Sequence, residues 1–179
     1  MKETWQVIFS GVGGQGLMLA GTLLGSAATG YEGKNAVMTS AYGVESRGTF
    51  AKSDCIVSTL EIDYLEVIEA DVVIALAPVA YKKYVDSLGE DTLLIYDDAI
   101  EVLPSQARQI GFPIAKTAKG VGNPSASNMV ALGILVKMTG MVKEHSVVKA
   151  IIEEFWGKEK LINLNLEAFK AGLSISGGE

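Results

Sequence analysis

The sequence predicts an α/β fold, a three-layer α/β/α domain around a mostly parallel, Rossmann-like sheet. Short runs of large apolar and β-branched residues alternate with longer stretches of helical periodicity, the pattern of strands joined by crossover helices. One run, Val72-Val73-Ile74-Ala75-Leu76-Ala77, is apolar throughout, as a strand covered on both faces must be. No repeat or linker divides the 179 residues, so residues 1–179 are expected to form a single domain.

The elements follow in order. Trp5–Phe9 is a short apolar run ending at glycines and predicts a buried strand. After Gly16, the spacing of Ala20, Leu23, Leu24, Ala27 and Ala28 predicts a helix. Asn35–Ser40 and Ser53–Thr59 read as the second and third strands, and Asp63–Glu69 as a short helical turn. Val79–Leu88 reads as a polar-faced helix, and Thr92–Tyr96 as a strand ending in Asp97-Asp98. Phe112–Ala115 is expected at an edge, where Pro113 is tolerated. Ser125–Thr139, Ser146–Trp156 and Asn163–Gly172 predict three further helices, and residues 174–179 a frayed tail.

Composition excludes several functions. Fifteen basic against 21 acidic residues give a net charge of −6, which disfavours binding to nucleic acid phosphates. One cysteine, Cys55, and one histidine, His145, cannot supply a four-thiolate iron–sulfur cluster or a Cys/His-rich zinc site. Cys55 is expected to pack as a small hydrophobe inside its strand, and His145 to be solvated at a helix start. Asp97-Asp98 alone is a poor metal site, so no metal is expected on this chain.

Glycine is in excess, 20 of 179 residues, and seven of them lie between Gly11 and Gly30. No charged residue occurs from Thr4 to Tyr31, yet the glycines interrupt the apolar run and no basic stretch precedes it. A strand, tight loop and helix are therefore expected rather than a targeting or membrane segment. Gly11-Val12-Gly13-Gly14-Gln15-Gly16 matches G-x-G-x-x-G at that position. The first glycine would permit a tight turn, the second a close backbone approach, and the helix start would offer N–H groups to an anion.

The acid that holds a dinucleotide ribose is missing after the second strand, which ends Met38-Thr39-Ser40, and Gln15-Gly16-Leu17 lacks the Lys-Ser/Thr pair of a phosphate loop. The loop therefore binds a ligand or a partner, or its glycines merely allow helix and sheet to pack closely. The helix behind it and the helix at Ser125–Val136 carry no charge. Two such helices in a small domain predict a protein partner that covers them.

A second loop, Tyr42-Gly43-Val44-Glu45-Ser46-Arg47-Gly48, follows the second strand, where open α/β sheets place ligand loops. Arg47 could grip a carboxylate or phosphate, or form a local ion pair with Glu45. Asn123 and Asn128 flank the start of the uncharged helix, and one of them is expected to cap it. No catalytic residue is assigned.

Ile8 through Gly16 followed by Tyr42 through Gly48 resembles the gamma subunit of 2-oxoacid:ferredoxin oxidoreductases. The likeness continues through Ala70–Leu76, Tyr81-Lys82-Lys83-Tyr84 and Asn128–Gly133. Val44 and Thr49 depart from it, at positions where the family usually has proline and commonly glycine.

The resemblance implies a cytoplasmic complex that oxidatively decarboxylates pyruvate, 2-oxoglutarate or a related 2-oxoacid, forms an acyl-coenzyme A and reduces ferredoxin. It further implies alpha, beta and ferredoxin-like delta partners that carry thiamine diphosphate, Mg2+ and [4Fe–4S] clusters. This chain would bind no cofactor alone and would be structural, with a possible place along the coenzyme A or inter-subunit cleft. The competing readings are a stand-alone anion- or nucleotide-binding module and a nucleotide-dependent oxidoreductase.

Overall fold

A computed structural model describes residues 2–42 and 49–178, the Tyr42 side chain excepted. In chain order the elements are β1 (Thr4–Val12), α1 (Leu17–Glu32), β2 (Asn35–Tyr42), β3 (Phe50–Ser58), β4 (Val72–Ala75) and α2 (Pro78–Tyr84). They continue with β5 (Leu93–Asp97), β6 (Arg108–Phe112), α3 (Ile114–Gly120), a 3-10 turn at Pro124–Ala126, α4 (Ser127–Thr139), α5 (Glu144–Glu154) and α6 (Glu159–Ser174).

The six strands form one sheet in the order β2-β3-β1-β4-β5-β6. β1, β4, β5 and β6 pair in parallel. β3 runs against both of its neighbours, β1 and β2. β2 therefore points the same way as β1, and the sheet is mostly parallel, as its apolar runs predict. Val12 lies opposite Phe50, and Tyr42 opposite Ala51, so β1 and β2 end at the same edge of the sheet.

The two faces are covered unequally. Val7, Phe9, Cys55, Val57, Ile74 and Ile95 turn to one side and share a core with α1, α3, α4, α5 and α6. Ile8, Val73, Ala75 and Leu94 turn to the other, against Ala80, Tyr81 and Val85. Phe9 and Phe169 are fully buried, each worth about 1.5–3 kcal/mol relative to exposure. Among the described residues no helix is long and apolar enough to cross a membrane.

The expectation that a partner must cover both uncharged helices is corrected for α4. Asn128 to Val136 are buried without exception, because α1, α3 and α6 enclose α4 within the chain. The close approach of α6 explains the burial. A Cβ on Gly133 would fall on the Phe169 carbonyl oxygen, and one on Gly172 on the Val130 carbonyl oxygen. The domain spends a second tier of helix on covering α4, a solution that periodicity along α4 does not reveal.

Other differences have local causes. Residues 63–69 form no helical turn; the Gln6 side chain reaches across and accepts the amides of Ile68 at 2.8 Å and Glu69 at 3.3 Å. α2 stops at Tyr84, short of the expected Leu88. The edge strand lies earlier than expected, at Arg108–Phe112, because Pro113 ends it and Ile114 already begins α3. The tail expected to fray is pinned at Gly178, which exchanges backbone hydrogen bonds of 3.1 and 2.9 Å with Gly111 of β6.

Candidate functional site

The glycine loop leaves the C-terminal end of β1 and turns into α1. Its left-handed residues are Gly14 at φ +95° and Gly16 at φ +69°, so these two positions make the turn. Gly11, expected to make it, instead stays in β1 opposite Ala51. Its missing side chain has another use: a Cβ there would fall on the Gln15 amide oxygen. Gln15 folds back into that space, accepting the Val12 amide at 2.8 Å and donating to the Leu76 carbonyl at 3.1 Å. The loop is thereby tied to the end of β4 as well as to β1.

Asn128 ties it a second time. The side chain is 4% exposed and donates to the Gly16 carbonyl at 3.0 Å. Its oxygen accepts the Met129 amide at 2.9 Å. The capping role expected of Asn123 or Asn128 is not found, since no side chain caps the 3-10 turn or α4. Asn128 instead reaches from α4 to the loop. A Cβ on Gly16 would fall on its amide nitrogen, so the glycine is required by space as well as by φ.

Gly13 donates to the carbonyl of Thr49, the residue that follows the second loop in sequence, at 3.1 Å. Of the second-loop residues, Tyr42 closes β2, while Gly43, Glu45, Arg47 and Gly48 lie outside the described residues.

Gln15, the one polar side chain of the first loop, and Asn128, which reaches it from α4, are therefore both occupied with holding backbone. What the loop presents is main chain. α1 starts without a side-chain cap and without an acid in its first turn. The first amides of a helix have no intrahelical acceptor, and they carry the positive end of its dipole. The start of α1 borders a concavity of about 290 Å³ lined by residues 12–18 and Ala51, none of them charged. Such a cradle can hold one anionic or carbonyl group; among the described residues its lining supplies no nucleophile or general base for bond making.

Three further groups take roles that the sequence does not assign to them. Asp97 caps α3 from a distance, accepting the amides of Ala99 at 3.0 Å and Ala115 at 2.7 Å. Asp54, 3% exposed, pairs with Lys52 at 2.6 Å on the α2 side of the sheet. The alternation of β3 puts Lys52 and Asp54 on one face, and that period was the available signal. Burial, and then the Asp54 charge, push the Tyr84 hydroxyl up to about 12. Glu32 closes α1 onto α5, accepting the Lys143 amide at 2.6 Å and Lys34 at 2.9 Å. Cys55 is buried as expected, and burial pushes its thiol up to about 12.

The family model described as pyruvate ferredoxin/flavodoxin oxidoreductase matches residues 6–175. The chain belongs to that family. Among family relatives, the 2-oxoglutarate synthase subunit KorC of Methanocaldococcus jannaschii is 34% identical, over 98% of this chain and 96% of its own. A crystal structure of a keto/oxoacid ferredoxin oxidoreductase gamma subunit from Geobacter sulfurreducens superposes with a TM-score of 0.81. It is 36% identical, over 94% of this chain and 95% of that one. A 2-oxoglutarate:ferredoxin oxidoreductase from Magnetococcus marinus, solved with 2-oxoglutarate, coenzyme A and succinyl-CoA bound, shares the fold. Its TM-score is 0.86 at 24% identity, over 97% of this chain and 31% of that one.

Proposed function

We propose that the chain is the gamma subunit of a multi-subunit 2-oxoacid:ferredoxin oxidoreductase, which decarboxylates a 2-oxoacid, forms its acyl-coenzyme A and reduces ferredoxin. The observation that carries this reading is the end-to-end correspondence with separate subunits of such enzymes. The name of the relative favours 2-oxoglutarate as the substrate of the complex. Alpha, beta and ferredoxin-like delta subunits would carry thiamine diphosphate with Mg2+ and the [4Fe–4S] clusters, in the cytoplasm.

The chain's own part follows from its loop geometry. Gln15 and Asn128 hold the main chain of Gly11–Gly16 in place. With the Gly13 amide given to the Thr49 carbonyl and the Gln15 amide to the Val12 carbonyl, Gly14, Gly16 and Leu17 supply the N–H donors at the edge where β1 and β2 end. That cradle fits a single phosphate or carboxylate, such as a phosphate of coenzyme A, or a carbonyl of a neighbouring subunit. Among the described residues its lining has no lysine or arginine to grip coenzyme A, so binding to the isolated chain is expected to be weak. The subunit orients and closes a cleft; the electrons move elsewhere.

Purification of the tagged chain from its native cell tests the reading. Co-elution of subunits that turn over a 2-oxoacid with coenzyme A and ferredoxin is expected. Oxidation of a 2-oxoacid by the purified chain alone would overturn it.

A further inference from the structure

The two edges of the sheet are finished differently. β6 is a short strand of five residues, and Gly178 closes its outer side by exchanging backbone hydrogen bonds with Gly111. β2, at the other edge, runs for eight residues. Its inner side pairs with β3, and among the described residues nothing bonds the N–H and C=O groups of its outer side.

Sheets protect a bare edge with a very short strand, a charge, a proline or a bulge, because an open ladder pairs with whatever strand it meets. β2 carries no charge and no proline. Its register with β3 runs unbroken from the Asn35/Ser58 pair to the Tyr42/Ala51 pair, so no bulge interrupts it either.

The helix beside it is equally bare. α1 packs over β2 and β3. A Cβ on Gly25 would lie 3.7 Å from that of Ala36, and the Thr22 hydroxyl donates to the Met38 Sδ at 3.6 Å. The outer face of α1 along that seam carries Thr22, Gly25, Ser26 and Thr29, all at least partly exposed and none charged. Strand edge and helix face form one uncharged surface on a chain of net charge −6. The charged residues that flank it are already paired, Lys34 with Glu32 and Lys52 with Asp54.

An open ladder takes an extended strand, and charge selects which one. A two-fold axis normal to the sheet sets β2 of a second copy antiparallel to this one, the stronger of the two ladders. The same axis places the second α1 on the same face of the joined sheet. Two to three strand spacings, about 10–14 Å, then separate the helix axes, at or just beyond the distance of packed helices. A two-fold contact through acidic faces would set like charges together; at this seam neither copy brings a charge.

We propose that β2 pairs antiparallel with β2 of a second copy of this chain and joins the two sheets into one, with α1 beside α1. The pairing does not rest on the proposed function. It uses a side edge of the sheet, whereas the glycine loop lies at the ends of the strands.

Sedimentation velocity on the purified full chain, over a concentration series, tests it. Association to twice the 18.9 kDa of one chain is expected. Thr29→Lys/Ser40→Lys adds one charge to the helix face and one to the strand edge, both at exposed positions. It should raise the dissociation constant of the dimer by about tenfold or more. Val102→Lys, exposed between β5 and β6, should leave that constant unchanged. Hydrogen exchange needs no variant. The outward amides of β2, on every second residue, should exchange at least several-fold more slowly in the dimer than in the dilute monomer.

A chain that stays monomeric at every concentration overturns the pairing. So does a dimer indifferent to both lysines, or one whose β2 amides exchange as fast as in the monomer. Each of these outcomes leaves the proposed function standing. Failure to bring down any oxidoreductase subunit overturns that function and leaves the pairing intact. If the lysines unfold the chain, the exchange comparison decides.

Discussion

Gly133 and Gly172 set the distance between α4 and α6, and replacing either with alanine should destabilise the chain. Two effects oppose each other. Alanine gains about 1 kcal/mol of helix propensity over glycine in a helix interior. Against that, a Cβ on Gly133 falls on the Phe169 carbonyl oxygen and comes within 2.9 Å of the Leu173 nitrogen. On Gly172 it falls on the Val130 carbonyl oxygen and lies 2.9 Å from the Val130 carbonyl carbon.

These are backbone atoms in helices and cannot swing aside, so α6 must retreat. Ordinary contact begins at about 3.4 Å, which requires a shift of more than about 0.5 Å, and a gap of that size forfeits at least a quarter of the dispersion energy along the seam. Ala168 and Phe169, both fully buried, lie on that seam. Overpacking of this kind costs about 1–3 kcal/mol, and the opened seam adds to it, leaving a net loss of about 2–3 kcal/mol after the propensity gain. At about 2–4 °C per kcal/mol for a chain of this size, Tm should fall by about 4–12 °C.

Gly30→Ala is the matched control. Gly30 sits in α1 with nothing near its Cβ position, so the same substitution should raise Tm slightly. The double Gly133→Ala/Gly172→Ala variant should lose less than the sum, because the helices part only once. Calorimetric melts of the four variants decide the matter. A Tm unchanged or raised in Gly133→Ala and Gly172→Ala would refute the close crossing.

Gly16→Ala should cost more stability than Gly14→Ala. Both positions lie at positive φ, worth about 1–2 kcal/mol, but only the Gly16 Cβ also meets Asn128; chemical denaturation curves measure the difference. Cys55, buried and with its thiol pushed up to about 12, should resist thiol reagents at neutral pH in the folded chain and react once denaturant is added. For Glu32, burial acts to raise the pKa, but the hydrogen bonds from the Lys143 amide and from Lys34 outweigh it, and the net shift is downward. Its contribution is therefore fully present above the ordinary carboxylate value and lost as pH falls through the lowered one. Glu32→Gln should be less stable than the unmodified chain at neutral pH, with the gap closing in acid when denaturant midpoints are compared.

Local patterns carried much of the fold. The unbroken Val72–Ala77 run announced a strand buried on both faces, and four of its residues form β4 at the centre of the sheet. The spacing from Ala20 to Ala28 announced α1, whose corresponding residues are all buried. The strand–glycine loop–helix order was equally plain, because such turns require residues that tolerate positive φ. Both oxidoreductase-type loops were recognised from their residue order, and the match over residues 6–175 bears out the family.

What stayed hidden depends on residues far apart in the chain. A strand's apolar period is the same in either direction, so nothing in Phe50–Ser58 says that β3 runs against its neighbours. Gln6 overrides the helical tendency of residues 63–69 from more than fifty residues away. α4 reads as a surface awaiting a partner until α6 is seen lying on it.

The glycine loop divides along the same line. Composition and spacing, which act through each residue's own φ preferences and hydrophobicity, determined that a glycine turn links β1 to α1 and that no dinucleotide acid follows. Packing determined what the loop presents. Gln15 and Asn128 could each have faced a ligand; long-range hydrogen bonds turn both inward, because a buried carbonyl or amide left without a partner costs more than an exposed side chain gains.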